Sequence, residues 1–238
     1  PPKLPLIEHG TPISFLGSCF SEHLATRLAY QGFDVCPPSH GILFDGFSIV
    51  RAMEHWTQKP KQRSFDLIEQ HNVWYSWDHH GSFRSESKQN LLNSLNKACN
   101  RQSNMLKKAQ VLFITLGTAW YFVLKESDRP VANCHKVPAN RFERKLAEPH
   151  LLAEKLSNAL NSLRRLNPKL EVVLSVSPVK HLRDGISGNL LSKSVLLLTS
   201  HMLTTELPFC SYFPGYELLT EDLRDYRFYA KDMAHPSE

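Results

Sequence analysis

The stretch QVLFITLG, residues 110–117, runs apolar from Val111 to Leu116 apart from Thr115 and is closed by Gly117. A strand with one wet face alternates apolar and polar side chains, whereas a strand covered on both faces does not need to. The run therefore reads as the centre of a parallel sheet. Working outward, LEVVLSVSP (170–178) is a second strand of the same kind, and ISFLG (13–17) and FDVCP (33–37) are shorter ones. FDVCP is closed by Pro37-Pro38, and a last short strand lies near 208–213.

Helical spacing fills the gaps. Phe20, Leu24 and Leu28 recur on one face and Gly32 supplies the stop. Further helices are expected near 45–57, 88–108, 149–166 and 189–205. Strands separated by helices give an α/β fold, a three-layer α/β/α sandwich around a five-stranded parallel sheet. Two segments break the rhythm. HNVWYSWDHHGSF, within 60–86, is aromatic and partly alternating, and the segment after Gly117 is irregular up to Pro138. Each reads as a hairpin insertion, the second turning at Ser127-Asp128. Without a linker or internal repeat, residues 1–238 form one domain.

Bulk composition narrows the function. The chain has 238 residues, a formal net charge of +5, 42% hydrophobic and 21% charged residues. Its basic pieces, KPKQR and NRFERK, are short and interrupted, so no nucleic-acid partner is expected. No apolar run reaches the roughly 18 residues of a membrane span. The five cysteines (Cys19, Cys36, Cys99, Cys134, Cys210) are widely spaced and form no Cys-x-x-Cys pair. That argues against a disulfide framework and fits a reducing, cytoplasmic setting. Because the chain starts at Pro1, a removed signal segment stays open. No metal is expected: the adjacent Cys134-His135 lacks a second ligand pair.

In an open parallel sheet, ligands bind outside the carboxyl ends of the strands. The loops there are Gly17-Ser18-Cys19, then PPSHG with His40 and Gly41, then GTAW, then SPVKHLRDG with His181. Ser18 sits at the start of the first helix, where free amides can stabilise an anion. Such a serine is either a plain N-cap or a nucleophile beside an oxyanion site made by its own amide or that of Cys19. Cys19 is a competing nucleophile, since a helix N-terminus favours a thiolate. Asp232 and His235, three residues apart after the last strand, can supply an orienting acid and a base. HLRD (181–184) holds the same residue types in reverse order and competes for that role. His79 and His80, beside Trp74, Tyr75 and Trp77, form either a polar hairpin rim or a lid. Asn189, Ser192 and Lys193 read as structural.

The blocks LGSCF, GTAW, NCHK, SPVKHLRDG and YRFYAKDMAHPS, in this order, resemble the GSCFA family, which is similar to the SGNH (GDSL-like) hydrolases. The family name has Ala where this chain has Ser21. The resemblance implies a flavodoxin-like fold with Ser18 as nucleophile, His235 as general base and Asp232 as its orienting acid. It also implies an oxyanion role for the Gly41 amide. The SGNH pattern carries Gly-x-Asn-Asp where this chain has Gly117-Thr118-Ala119-Trp120. Losing that amide donor costs about 3–4 kcal/mol of transition-state stabilisation. Asn133 is the candidate substitute, with His135 a further donor or substrate contact. The implied activity is cleavage of a small-molecule or carbohydrate acyl ester through an acyl-serine, with no cofactor. The alternatives are an acyltransferase using the same triad, or a non-catalytic carbohydrate- or ligand-binding domain. Related folds continue with a closing helix after the catalytic histidine, so the chain reads as truncated at its C-terminus. The acyl group, the alcohol and the oligomeric state are not specified by the sequence.

Overall fold

A computed structural model describes residues 4–36, 38–58 and 63–237. Pro37, expected to close the second strand, and Lys59–Gln62 of the KPKQR piece lie outside the described residues.

The core is a five-stranded parallel sheet made of β1 (Ile13–Gly17), β2 (Val35–Cys36), β6 (Val111–Leu116), β10 (Glu171–Val176) and β11 (Cys210–Tyr212). Its order is β11-β10-β6-β1-β2. Counted by central strand alone this is 2-1-3-4-5, the doubly wound order in which connections reverse between the first and third strands. The run at 110–117 is the middle strand, every residue of β6 being buried.

Side-chain alternation along β1 divides the core. Leu16 faces the larger apolar cluster, with Leu112, Ile114, Val172 and Leu174. Ile13 and Phe15 face the smaller one, with Val111, Phe113 and Val173. The larger cluster takes in residues of α2 (Gly46–Thr57), α3 (Lys88–Leu106), α4 (Pro149–Leu166) and α5 (Gly185–Glu206). The opposite face carries α1 (Cys19–Tyr30), and an apolar cavity of ≈ 330 Å³ remains there, lined by Ile7, Phe20, Leu24, Phe113 and Phe213 among others.

Both irregular segments are antiparallel sheets. The first holds β3 (Leu67–Gln70), β4 (Val73–Ser76) and β5 (Arg84–Ser85). Its tight turn is His71-Asn72, both at positive φ as a two-residue hairpin turn demands. In the second, β7 (Trp120–Leu124) pairs with β8 (Arg129–Val131) across Ser127-Asp128, as the sequence suggests. It also gains β9 (Phe142–Leu146) on its other edge. The two insertions share a small core of Trp77, Leu124, Val131, Val137 and Phe142.

The fifth long helix starts at Gly185 rather than 189, preceded by a 3-10 turn at Leu182–Asp184. Among the described residues no two cysteines are joined, and no helix is long and apolar enough to cross a membrane.

Candidate functional site

Gly17 ends β1 at φ +125°, and a Cβ there would lie 2.1 Å from the Thr115 carbonyl oxygen. Only glycine lets the two central strands come this close. The chain then turns into α1 with Ser18 at the N-cap, its backbone extended at φ −70° and ψ 173°. The Ser18 side chain makes no capping bond. Its Oγ is buried without a hydrogen-bond partner, while its amide donates to Thr115 O at 3.1 Å. Ser18 therefore holds the cap position without doing the cap's work.

Gly117, at the end of β6, is the floor beside it: a Cβ on Gly117 would be 3.2 Å from Ser18 Cβ and 2.9 Å from Phe44 O. The loop at 41–45 runs across this gap. Leu43 N donates to Gly17 O at 2.8 Å, and Gly117 N and Thr118 N both donate to Phe44 O at 2.9 Å. Ser18 thus lies at the switch point of the sheet, between the first and third central strands.

Asp232 and His235 meet as their spacing suggests. His235 Nδ1 lies 2.6 Å from Asp232 Oδ2, and Asp232 Oδ1 accepts from the amides of Ala234 and His235 at 2.9 and 3.0 Å. Those amides and the imidazole pull the Asp232 carboxyl down to about 2, so it stays ionised. Nδ1–H donates to it, which leaves Nε2 as the basic nitrogen. The turn is fastened to the loop after β10, where Lys180 N donates to Ala234 O at 2.9 Å and Lys180 Nζ lies 3.8 Å from the Tyr229 ring centre. The Ser18 Oγ to His235 hydrogen bond of an assembled triad is not made here.

The other expected groups are scattered. Cys19 is half-buried; burial pushes its thiol up from the ordinary value, against the amides of Phe20 and Cys19. That disfavours a thiolate. Gly41, at φ +71°, packs against His80, and its amide points at Pro38 O at 3.4 Å. Asn133 Oδ1 accepts from His135 N at 2.8 Å, and its Nδ2 lies against Gly81. His135 is buried, stacked on Tyr75, with Nε2 donating to Ser76 O at 2.8 Å. Asn133 meets His135 and Gly81, His135 meets Tyr75 and Ser76, and no hydrogen bond among the described residues joins either to Ser18.

His181 does belong to this end of the sheet. Its ring faces the Gly117 backbone and meets Phe44 edge-on at 5.9 Å. Burial, then Lys193, draws its pKa down to about 4. It is a neutral donor, not a base. Its would-be acid, Asp184, pairs instead with Arg144.

Three side chains read as structural in the sequence prove to frame the site. Lys193 is 1% exposed and donates to Gly117 O at 2.7 Å and Ser177 O at 2.8 Å, tying the ends of β6 and β10. Burial pulls its pKa down to about 7, while the two carbonyls favour the ammonium. Ser192 Oγ accepts from Ala119 N at 2.8 Å and Asn189 Oδ1 from His181 N at 2.9 Å. The available signal was their spacing: positions 189, 192 and 193 put three polar groups on one face of the helix start.

A comparison with curated proteins returned no match. The model of the GSCFA family matches residues 12–238, from the strand that delivers Ser18 to the turn that holds His235. The chain belongs to the GSCFA family.

Proposed function

We propose that this chain is a serine hydrolase that cleaves an acyl ester of a small molecule or carbohydrate. The observation that carries the reading is a pair: a buried, unpartnered Ser18 Oγ at the switch point, and a preformed Asp232–His235 couple docked on the adjoining loop. Ser18 lies beside Gly117 at the end of β6, and the turn that holds His235 is hydrogen-bonded to the loop after the neighbouring β10 through Lys180 and Ala234. Catalytic hydrogen bonds are often long without substrate and tighten in the Michaelis complex.

Ser18 Oγ attacks the ester carbonyl as His235 Nε2 takes its proton, and Asp232 stabilises the imidazolium. The tetrahedral oxyanion collapses, the alkoxide leaves with the proton from His235, and water repeats the sequence on the acyl-Ser18. The Ser18 amide is spent on Thr115 and the Gly41 amide faces Pro38. The remaining first-turn amides of α1 are those of Cys19 and Phe20, beside the Cys19 thiol, and Lys193 lies beneath with one ammonium proton beyond its two carbonyl bonds. Fewer donors than a full oxyanion hole predict a modest turnover.

Hydrolysis of short-chain p-nitrophenyl esters tests this. Ser18→Ala and His235→Ala should each lower kcat/KM by about 10³-fold or more, and a fluorophosphonate should label Ser18 alone. A Ser18→Ala protein as fast as the wild type removes the proposal. Products formed with glycerol present tell hydrolysis from transfer to another hydroxyl.

A further inference from the structure

Away from Ser18, three histidines and a cysteine from four separate elements converge in the core. His40 comes from the loop after β2, His55 from α2, His79 from the turn after β4 and Cys99 from α3. All four are 0% exposed, and one ligand atom from each lies within 4.8 Å of every other. His40 stacks on His79 with ring centres 4.1 Å apart. Three fully buried imidazoles are an expensive way to fill an apolar space, because each brings two polar nitrogens that need partners.

The partners are arranged in one sense. On the outer side, His40 Nδ1 lies 3.2 Å from Ser39 Oγ and His79 Nδ1 2.8 Å from Ser76 Oγ. His55 Nε2 faces Asp78 Oδ2 at 3.7 Å. Trp56 Nε1 also reaches Ser39 Oγ at 2.9 Å and His40 Nδ1 at 3.2 Å. With Trp56 on Ser39, that hydroxyl accepts from both rings. His40 and His79 then each direct one nitrogen outward to a hydroxyl and the other inward, while His55 Nε2, 3.7 Å from Asp78, makes no hydrogen bond among the described residues. The inward nitrogens meet: His40 Nε2 and His55 Nδ1 are 3.3 Å apart, and His79 Nε2 has no partner at all. A buried nitrogen left in that state costs about 1–3 kcal/mol.

We propose that His40, His55, His79 and Cys99 bind one divalent transition-metal ion, zinc by donor type, in a closed structural site. Histidine ligands ordinarily give their second nitrogen to an oxygen acceptor, the pattern formed here by Ser39 and Ser76, with Asp78 facing His55 at 3.7 Å. Three imidazoles and a thiolate suit a tetrahedral zinc ion, and four protein donors leave no position for a reacting water. Tetrahedral bonds of about 2.0–2.3 Å place donors roughly 3.3–3.8 Å apart. The His40–His55 pair already meets that spacing, and the other donors draw in from within 4.8 Å by small side-chain rotations. Ligation takes neutral imidazoles and a Cys99 sulfur that has given up its thiol proton. Ion binding replaces that proton: one sulfur–metal bond forms and one proton leaves to solvent. Asp78, paired with Arg129 at 2.6 Å, is the acidic side chain beside the cluster. The ion would fasten the first hairpin sheet to α2, α3 and the loop that leads through Gly41 to the Ser18 site.

The test uses the whole chain. Protein purified from zinc-supplemented cells should carry one zinc per chain by elemental analysis. After removal of zinc with pyridine-2,6-dicarboxylate, cobalt(II) should give the intense visible bands of a tetrahedral ion and a near-ultraviolet thiolate band. Cys99→Ser should abolish the thiolate band, whereas Cys19→Ser and Cys134→Ser should keep it. Ser76→Ala should weaken zinc binding by about 10–100-fold. Folded wild-type protein that holds no zinc and takes up no cobalt overturns the proposal, and this outcome depends on no variant folding. A thiolate band that survives Cys99→Ser, or a weak octahedral cobalt spectrum, overturns it equally. Esterase activity lost in Ser18→Ala with zinc content unchanged keeps this site distinct from the catalytic one.

Discussion

At Gly17 the chain accepts no side chain of any kind. A Cβ 2.1 Å from the Thr115 oxygen is a collision with backbone, which no rotamer relieves, and φ +125° adds strain. Gly17→Ala should therefore lose about 3 kcal/mol or more of stability, read as a lower urea midpoint. A midpoint within error of wild type would mean that β1 and β6 can part without cost. The same crowding explains how Ser18 was legible in the sequence. A strand that ends in glycine and enters a helix must put the next residue at the helix start, whatever that residue does. Asn133 and His135 were not legible in this way. Their positions depend on how the second insertion folds onto the first, and NCHK says nothing of Ser76 or Gly81. The histidine and cysteine cluster was hidden for a related reason, because positions 40, 55, 79 and 99 share no local spacing.

At the scale of elements, the long strands and helices were legible because burial on both faces and helical periodicity leave strong marks. β9 was not: FERKL carries three charged residues, and an edge strand needs only Phe142 inward. The start of α5 was also missed, since its first turn is Gly-rich and its buried positions are polar. That polar stripe holds the site in shape. Ser192→Ala would leave the buried Ala119 amide without its acceptor and free Thr118 Oγ1, which lies 3.1 Å from Ser192 Oγ. The expected loss is about 1–3 kcal/mol, with a fall in esterase rate larger than the fall in substrate affinity. Thermal melts and a kcat-against-KM comparison separate the two effects. Asp45 ends the loop that crosses the Ser18 gap and bridges to Thr118. It caps α2 through Ser48 N at 2.9 Å and Ser48 Oγ at 2.6 Å. Asp45→Ala should cost about 1–2 kcal/mol, read as a lower urea midpoint.

Across the whole molecule, the sheet order sets where charge must be buried. The switch point leaves the carbonyls of Gly117 and Ser177 at the ends of two adjacent strands, and α5 answers both with one ammonium group, Lys193. Burial holds that group near pKa 7, whereas in the unfolded chain it titrates near 10.5. Between those values the unfolded state binds a proton that the native state has released, so stability rises with pH. The slope per proton has a ceiling of about 1.4 kcal/mol per pH unit, and the two carbonyls, which favour the ammonium, keep it below that. Other groups bound the window. His181, lowered to about 4, opposes stability as pH falls below its unfolded value of 6.5 and contributes nothing further above it. Cys210, raised to about 12 from 9.0, makes stability fall again above pH 9. The interval from pH 7 to 9 therefore isolates Lys193. Urea melts at pH 7, 8 and 9 should show the wild type gaining stability and Lys193→Met gaining less. Zinc-saturated buffer for both proteins cancels any contribution of the histidine–cysteine cluster from the difference. Parallel pH profiles in the two proteins would mean that Lys193 keeps its proton throughout, held by the carbonyls more strongly than burial opposes it.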